Sequence, residues 1–182
     1  MNILFLHGLE GTPNGSKVKF LKAMGHTVVA PALPKNCLFE SRKIAQEEFD
    51  SNGFDIVIGS SRGGAIAAGL EGDPKIPRIL IAPAYRAFGI DPIMYNEYDI
   101  CYSVDILHCP EDDLVPISFS EELERKLGKT NSVARLHRTG KDHRMSDPTA
   151  LGKLAVIVKE IENKKFFQGL LKNIREQVRL NG

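Results

Sequence analysis

Short apolar runs rich in β-branched residues alternate along the chain with longer stretches in which apolar residues recur every three or four positions. The runs predict strands at Asn2–Leu6, Thr27–Ala30, Asp55–Ile58, Arg78–Ala82, Tyr102–His108 and Ser132–His137. Several are continuously apolar, as expected of strands covered on both faces. The stretches between them predict helices over about 15–24, 38–51, 63–71, 117–128 and 147–163. Pro116 suits the first turn of the fourth helix, where its missing N–H goes unused. Glu121, Glu122 and Glu124 precede Arg125 and Lys126, the order that a helix dipole favours. Regular strand–helix alternation implies an α/β fold: a three-layer αβα sandwich on a mostly or wholly parallel sheet of about six strands. No linker, repeat or low-complexity tract divides residues 1–182, so a single domain is expected.

Residues 165–180 add a candidate C-terminal helix. Phe167, Leu170, Leu171, Ile174 and Val178 fall at helical spacing, while Lys164, Lys165, Lys172, Arg175 and Arg179 lie mostly elsewhere. Such a stripe is expected to pack against its own domain or against a second copy of the chain, as in a homodimer. A basic amphipathic helix also suits a membrane surface or another partner.

Composition changes this picture mainly by exclusion. The net charge is +1, from 24 Lys+Arg and 23 Asp+Glu, which argues against nucleic-acid binding through a basic face. That balance hides an asymmetry: residues 1–151 carry 17 basic and 20 acidic side chains, and residues 152–182 carry 7 and 3. With 42% hydrophobic and 26% charged residues the chain is of ordinary globular type. Cys37, Cys101 and Cys109 form no CxxC pair and fit a reducing compartment, so a cytoplasmic location is expected. The apolar start Ile3–Leu6 is broken by His7-Gly8 and has no signal-peptide features. No apolar run approaches the ~20 residues of a membrane span. No cluster has metal-ligand spacing, and neither a metal nor a cofactor is expected.

The sharpest chemical signal is Gly59-Ser60-Ser61-Arg62-Gly63, a G-x-S-x-G pentapeptide. An apolar strand run, Phe54–Ile58, leads into it, and the small-residue stretch Gly64–Ala68 leads out. A strand–turn–helix of this kind holds a serine in unfavourable backbone geometry and exposes its oxygen above the sheet. The flanking glycines leave room for the turn. A polar turn serine without chemistry is the plain alternative.

In this setting Ser61 resembles the nucleophile of the α/β-hydrolase superfamily, whose triad order is serine, acid, histidine. The resemblance covers nearly all of the chain up to about residue 163. Within that superfamily the chain is similar to compact, lidless esterases of the YqiA-like kind. It implies that Asp112 is the acid, because Asp112 stands in the D-x-x-V-P context that ends in Pro116. Glu111 and Asp113 remain rivals within one residue, and a helix-capping role for Asp112 or Asp113 is the alternative. His143, in Gly140–Arg144 between the last strand and the next helix, falls where the family carries its base. His26, His108 and His137 lie in or beside strands, where structural histidines are commoner. The loop His7-Gly8-Leu9-Glu10-Gly11 matches the family's HG loop, which implies an oxyanion hole from the backbone N–H groups of Leu9 and Arg62. His7 resembles a structural residue of that loop.

Arg62 replaces the commoner apolar or Gln residue after the serine. With Arg86 and Arg144 it could form a cationic rim, but pairing of at least one of them with Asp142, Asp147 or another local carboxylate is the expected outcome. Between Ala82 and Tyr102 lie 19 residues, including Tyr85, Phe88, Ile93, Met94, Tyr95 and Tyr98, where larger relatives insert a lid. Only a short cover fits, so a shallow site is implied, and most of these aromatics are expected to be core or rim packing. The first strand begins at residue 2, so a trimmed fold without leading antiparallel strands is also implied. Together these features imply a serine hydrolase that cleaves a carboxylic ester or thioester of a small acyl substrate through an acyl-enzyme. An amidase, peptidase or acyltransferase with the same triad, and a hydrolase-fold interaction protein without turnover, are the alternatives.

Overall fold

The computed structural model describes residues 1–73, 75–92, 103–129 and 133–180. Six strands, β1 (Asn2–Leu6), β2 (Thr27–Val29), β3 (Ile56–Ser60), β4 (Arg78–Ile81), β5 (Ser103–His108) and β6 (Val133–Arg138), form one sheet in the order β2-β1-β3-β4-β5-β6. Every neighbouring pair is parallel. The helices are α1 (Ser16–Ala23), α2 (Leu38–Ser51), α3 (Arg62–Ala68), α4 (Ile117–Leu127) and α5 (Pro148–Leu180). Tyr102 and Ser132, expected to open strands, lie outside the described residues, as do Ile93, Met94, Tyr95, Tyr98 and Cys101.

The two-residue period of β1 separates the two halves of the core. Leu4 and Leu6 join Phe49, Ile66, Leu123 and Leu127 on the α2–α3–α4 side, while Ile3 and Phe5 join Val18, Leu21, Leu154 and Ile157 on the α1–α5 side. The sheet therefore lies between helical layers, which is why its central strands are apolar on both faces.

Three local expectations shift. α3 starts one residue earlier than expected and ends at Ala68. Pro116 flanks α4 as its N-cap rather than entering its first turn, and that turn carries no acidic side chain, Glu121 lying beyond it. Residues 165–180 are not a separate helix, and they touch the domain only near their start, where Lys165 is ion-paired with Asp55. α5 runs unbroken for 33 residues, and residues 163–179 are exposed. No helix among the described residues is long and apolar enough to cross a membrane.

Candidate active site

β3 delivers Ser61 to the carboxyl edge of the sheet, and α3 begins at the next residue. Ser61 has φ 56° and ψ −117°, a conformation that costs a non-glycine residue of order 1–3 kcal/mol and persists only where its surroundings hold it. Three backbone hydrogen bonds do so: the Ser61 N–H donates to the Ile81 carbonyl at 2.8 Å, and the Ser61 carbonyl accepts from Ala65 at 3.0 Å and Ala84 at 3.2 Å. The glycines meet a steric demand. A Cβ at Gly59 would collide with the Gly63 carbonyl and Ala67, and one at Gly63 with the Leu6 carbonyl.

Opposite the serine, the loop between β6 and α5 carries His143, and the loop after β5 carries Asp112. His143 Nε2 lies 2.9 Å from Ser61 Oγ, and His143 Nδ1 lies 2.7 Å from Asp112 Oδ2. Burial alone would raise the Asp112 pKa, but it is outweighed by hydrogen bonds, chiefly from the Val115 N–H, then His143 and the Leu114 N–H, and the carboxyl is held below its ordinary value. Asp112 is thus ionised and can only accept, so Nδ1 of His143 carries the proton and Nε2 is free to accept from the Ser61 hydroxyl. Asp112 Oδ1 takes the Leu114 and Val115 N–H groups at 2.9 and 2.8 Å, which fixes the carboxylate plane. Those bonds make a turn within the loop, and α4 has no side-chain cap. Glu111 and Asp113 are both exposed.

Around this chain of three lie partners that sequence reading missed. His108 is buried at the end of β5, with Nε2 3.2 Å from Asp112 Oδ2 and donating to the Val115 carbonyl at 2.9 Å. Its Nδ1 then accepts from the Ser120 hydroxyl at 2.6 Å. Burial first of all lowers the His108 pKa, and the neutral ring braces the acid's loop. Lys17 of α1 donates to the carbonyl of Arg144, next to His143. Burial lowers the Lys17 ammonium to a pKa of about 8, with the charge of Asp142 opposing. An i,i+4 spacing, His108 to Asp112, was the one signal available; the α1 contact spans 127 positions and leaves none.

The HG loop lies against the serine. A Cβ at Gly8 would stand 3.2 Å from Ser61 Cβ, so glycine permits the close approach. His7 is buried: its Nε2 accepts the Leu33 N–H at 3.1 Å, which leaves Nδ1–H to donate to the Gly8 carbonyl at 2.8 Å. The backbone N–H groups of Leu9 and Arg62 have no hydrogen-bond acceptor among the described residues.

The arginines do not form a rim. Arg62 is 1% exposed and donates to the carbonyls of Leu33, Pro34 and Lys35, with no carboxylate partner among the described residues. These contacts fasten its side chain to the segment that follows β2. Arg86 pairs with Glu122 at 3.1 Å and lies over Phe119, while Arg144 is exposed. Tyr85 is in the core, as expected for most of the aromatics between Ala82 and Tyr102, and lies edge-on to Phe119.

No protein-family model and no curated protein matches the sequence. Solved structures do resemble the fold. Alpha/beta hydrolase domain-containing protein 10 from mouse superposes with a TM-score of 0.66 at 20% identity, covering 90% of each chain. Est1E from Butyrivibrio proteoclasticus gives 0.66 at 16% identity, over 91% of this chain and 88% of its own. Esterase PE8 gives 0.59 at 16% identity, over 88% and 92%.

Proposed function

This chain has the α/β-hydrolase fold, and we propose that it is a serine hydrolase that cleaves a carboxylic ester or thioester. The supporting observation is the continuous relay from Ser61 Oγ through His143 to Asp112, with spacings of 2.9 and 2.7 Å. One of the similar structures is named an esterase and another an alpha/beta hydrolase domain-containing protein, in keeping with this chemistry. In the proposed reaction Ser61 Oγ attacks the acyl carbon while its proton passes to His143 Nε2. The resulting imidazolium is stabilised by the Asp112 carboxylate. The Leu9 and Arg62 N–H groups receive the oxyanion. Collapse expels the alcohol or thiol, which takes the proton from His143 and leaves an acyl-serine. Water, deprotonated by His143, then attacks that ester, and the proton returns to Ser61 as the carboxylic acid departs.

The backbone supports this assignment. Ser61, whose oxygen must stand clear of the sheet, is one of three non-glycine residues with positive φ among the described residues, the others being Ala82 and Met145. The N-terminus of α3 lies directly behind it, where developing negative charge is favoured.

The test is covalent. A fluorophosphonate probe should label the wild-type protein and spare Ser61→Ala, and purified protein should hydrolyse short p-nitrophenyl esters or acyl thioesters in a manner lost in His143→Ala. Labelling that persists in Ser61→Ala removes that serine from the mechanism. Labelling of Ser61 without turnover of any ester or thioester points instead to an interaction protein on a hydrolase fold.

A further inference from the structure

The unexplained feature of the molecule is the far half of α5. Ala150, Leu154, Ile157, Val158 and Ile161 bury the near half against the sheet. Beyond them the helix is held to the domain by the Lys165–Asp55 ion pair and then runs on with Phe166, Phe167, Leu170, Leu171, Ile174 and Val178 44–69% exposed. A surface helix in water does not ordinarily carry so concentrated an apolar stripe without a partner.

The stripe has a direction. At about 100° of rotation per residue, it is turned roughly 140° around the axis from the face that α5 buries in its own domain. Phe166 and Leu170, at one edge of the stripe, share a groove with Met1 and Asp55, while Phe167, Leu171, Ile174 and Val178 stand clear of it, so a body can approach these four without meeting the domain. Lys165, Lys172, Glu176 and Arg179 lie on the domain side, away from the stripe. Phe167, Leu171, Ile174 and Val178 follow one another at spacings of 4, 3 and 4, the seam of a two-helix coiled coil. Flanking this seam are Gln168, Leu170, Arg175 and Gln177, which include only one charge.

We propose that the stripe is a self-association surface, on which residues 164–180 of two copies pair as antiparallel helices. The seam then sets Phe167 of one chain against Val178 of the other, large against small, and Leu171 against Ile174. Orientation follows from charge. Lys164 occupies the next seam position, and a parallel pair would set it against its own copy; the antiparallel pair separates the two. Arg175 faces a glutamine, Gln168, across the antiparallel seam, so like charges do not oppose one another. The four seam residues and the flanking Leu170 are 44–69% exposed, and pairing takes their apolar faces out of water. A bilayer fits less well, because most of the basic side chains point toward the domain, away from the apolar stripe, where lipid headgroups would not meet them.

Light scattering on the purified full chain tests the pairing. The wild type should approach twice the 20.1 kDa of one chain as concentration rises. Leu171→Lys combined with Ile174→Lys should remain at one chain mass with an unchanged circular dichroism melting profile for the domain. Lys172→Glu, on the far side of the helix, should still dimerise. In a Cys37→Ser background, mixed Gln168→Cys and Arg175→Cys proteins should form a disulfide-linked pair that neither yields alone. A monomeric wild type, a double-lysine variant that still dimerises, or assembly lost in Lys172→Glu would overturn the proposal. A monomer that co-sediments with phosphatidylserine vesicles would replace it with a membrane surface. These outcomes do not depend on the hydrolase assignment, since none of them reads turnover.

Discussion

Arg62 Nη1 donates to the carbonyl of Pro34 at 2.8 Å, fastening the residue after Ser61 to a segment 28 positions earlier in the chain. Leu33 in that segment is gripped twice, by Arg62 through its carbonyl and by His7 through its N–H. The two backbone N–H groups proposed to hold the oxyanion, those of Leu9 and Arg62, are thereby tied to one common strut. Arg62→Met keeps the volume and removes the donors. It should lower kcat by about tenfold with KM little changed, a fraction of the ~10²–10³ that loss of an oxyanion donor itself costs. It should also destabilise the fold by about 1–3 kcal/mol, because three carbonyls lose their donor. Unaltered kcat in a stably folded Arg62→Met protein would show that the strut does not position the site.

Asp112→Asn separates orientation from mere proximity. An amide in that place can turn its NH₂ toward His143 Nδ1 and hold the ring in the tautomer with the proton on Nε2, where it cannot accept from Ser61. Ester turnover should fall roughly 10⁴-fold, whereas Asp113→Asn, at the exposed neighbouring carboxylate, should leave it unchanged. Equal losses in the two variants would return the choice of acid to the rivals in that loop.

The succession of strands and helices along the chain and the three loops that meet at Ser61 were legible in the sequence because each rests on local pattern: apolar runs, a glycine-framed serine, a polar loop with a histidine. Partners that depend on which strands become neighbours were not. Nothing local marks Arg62 for the carbonyls of residues 33–35, or Lys17 for Arg144, since both contacts join segments brought together only by the parallel crossovers. α5 was misjudged for another reason. The apolar stripe that faces the domain ends at Ile161, and a new one begins near Phe166 on a different side of the axis. A change of phase reads as two helices, but no proline intervenes and the backbone runs straight through.

Asp105 illustrates a cross-strand partner of this kind. It is fully buried in β5 and accepts from Arg135 Nε and Nη2 of β6 at 2.9 and 2.8 Å and from His137 at 2.7 Å. Burial opposes its ionisation, but these hydrogen bonds and charges hold its pKa below the ordinary value. Because the folded pKa is depressed, the stabilisation is complete above the unfolded value of about 3.9 and is lost as pH falls through the lower folded value. Asp105→Asn should cost about 2–3 kcal/mol at neutral pH, and its urea midpoint should converge on that of the wild type in acid. A deficit that persists unchanged below pH 3 would assign the effect to packing instead of charge.

Lys17 gives the same sign of pH dependence in an alkaline window. Its ammonium is buried in α1, bonded to the Arg144 carbonyl and 3.5 Å from Ser146 Oγ, and its pKa is about 8 where an exposed lysine has 10.5. Between these values the folded protein sheds a proton that the unfolded chain retains, so stability rises with pH across that window. A displacement of this size corresponds to about 3 kcal/mol. The difference in unfolding free energy, wild type minus Lys17→Met, should therefore increase by about that amount from below pH 8 to above pH 10.5, as read from urea titrations. Methionine also leaves the Arg144 carbonyl without its donor and slackens the loop that presents His143, so kcat at pH 7 should drop several-fold while Ser61 remains reactive toward the fluorophosphonate probe at a reduced rate. A pH-independent difference would place the Lys17 ammonium in water, and full kcat in the variant would free the histidine loop from any dependence on α1.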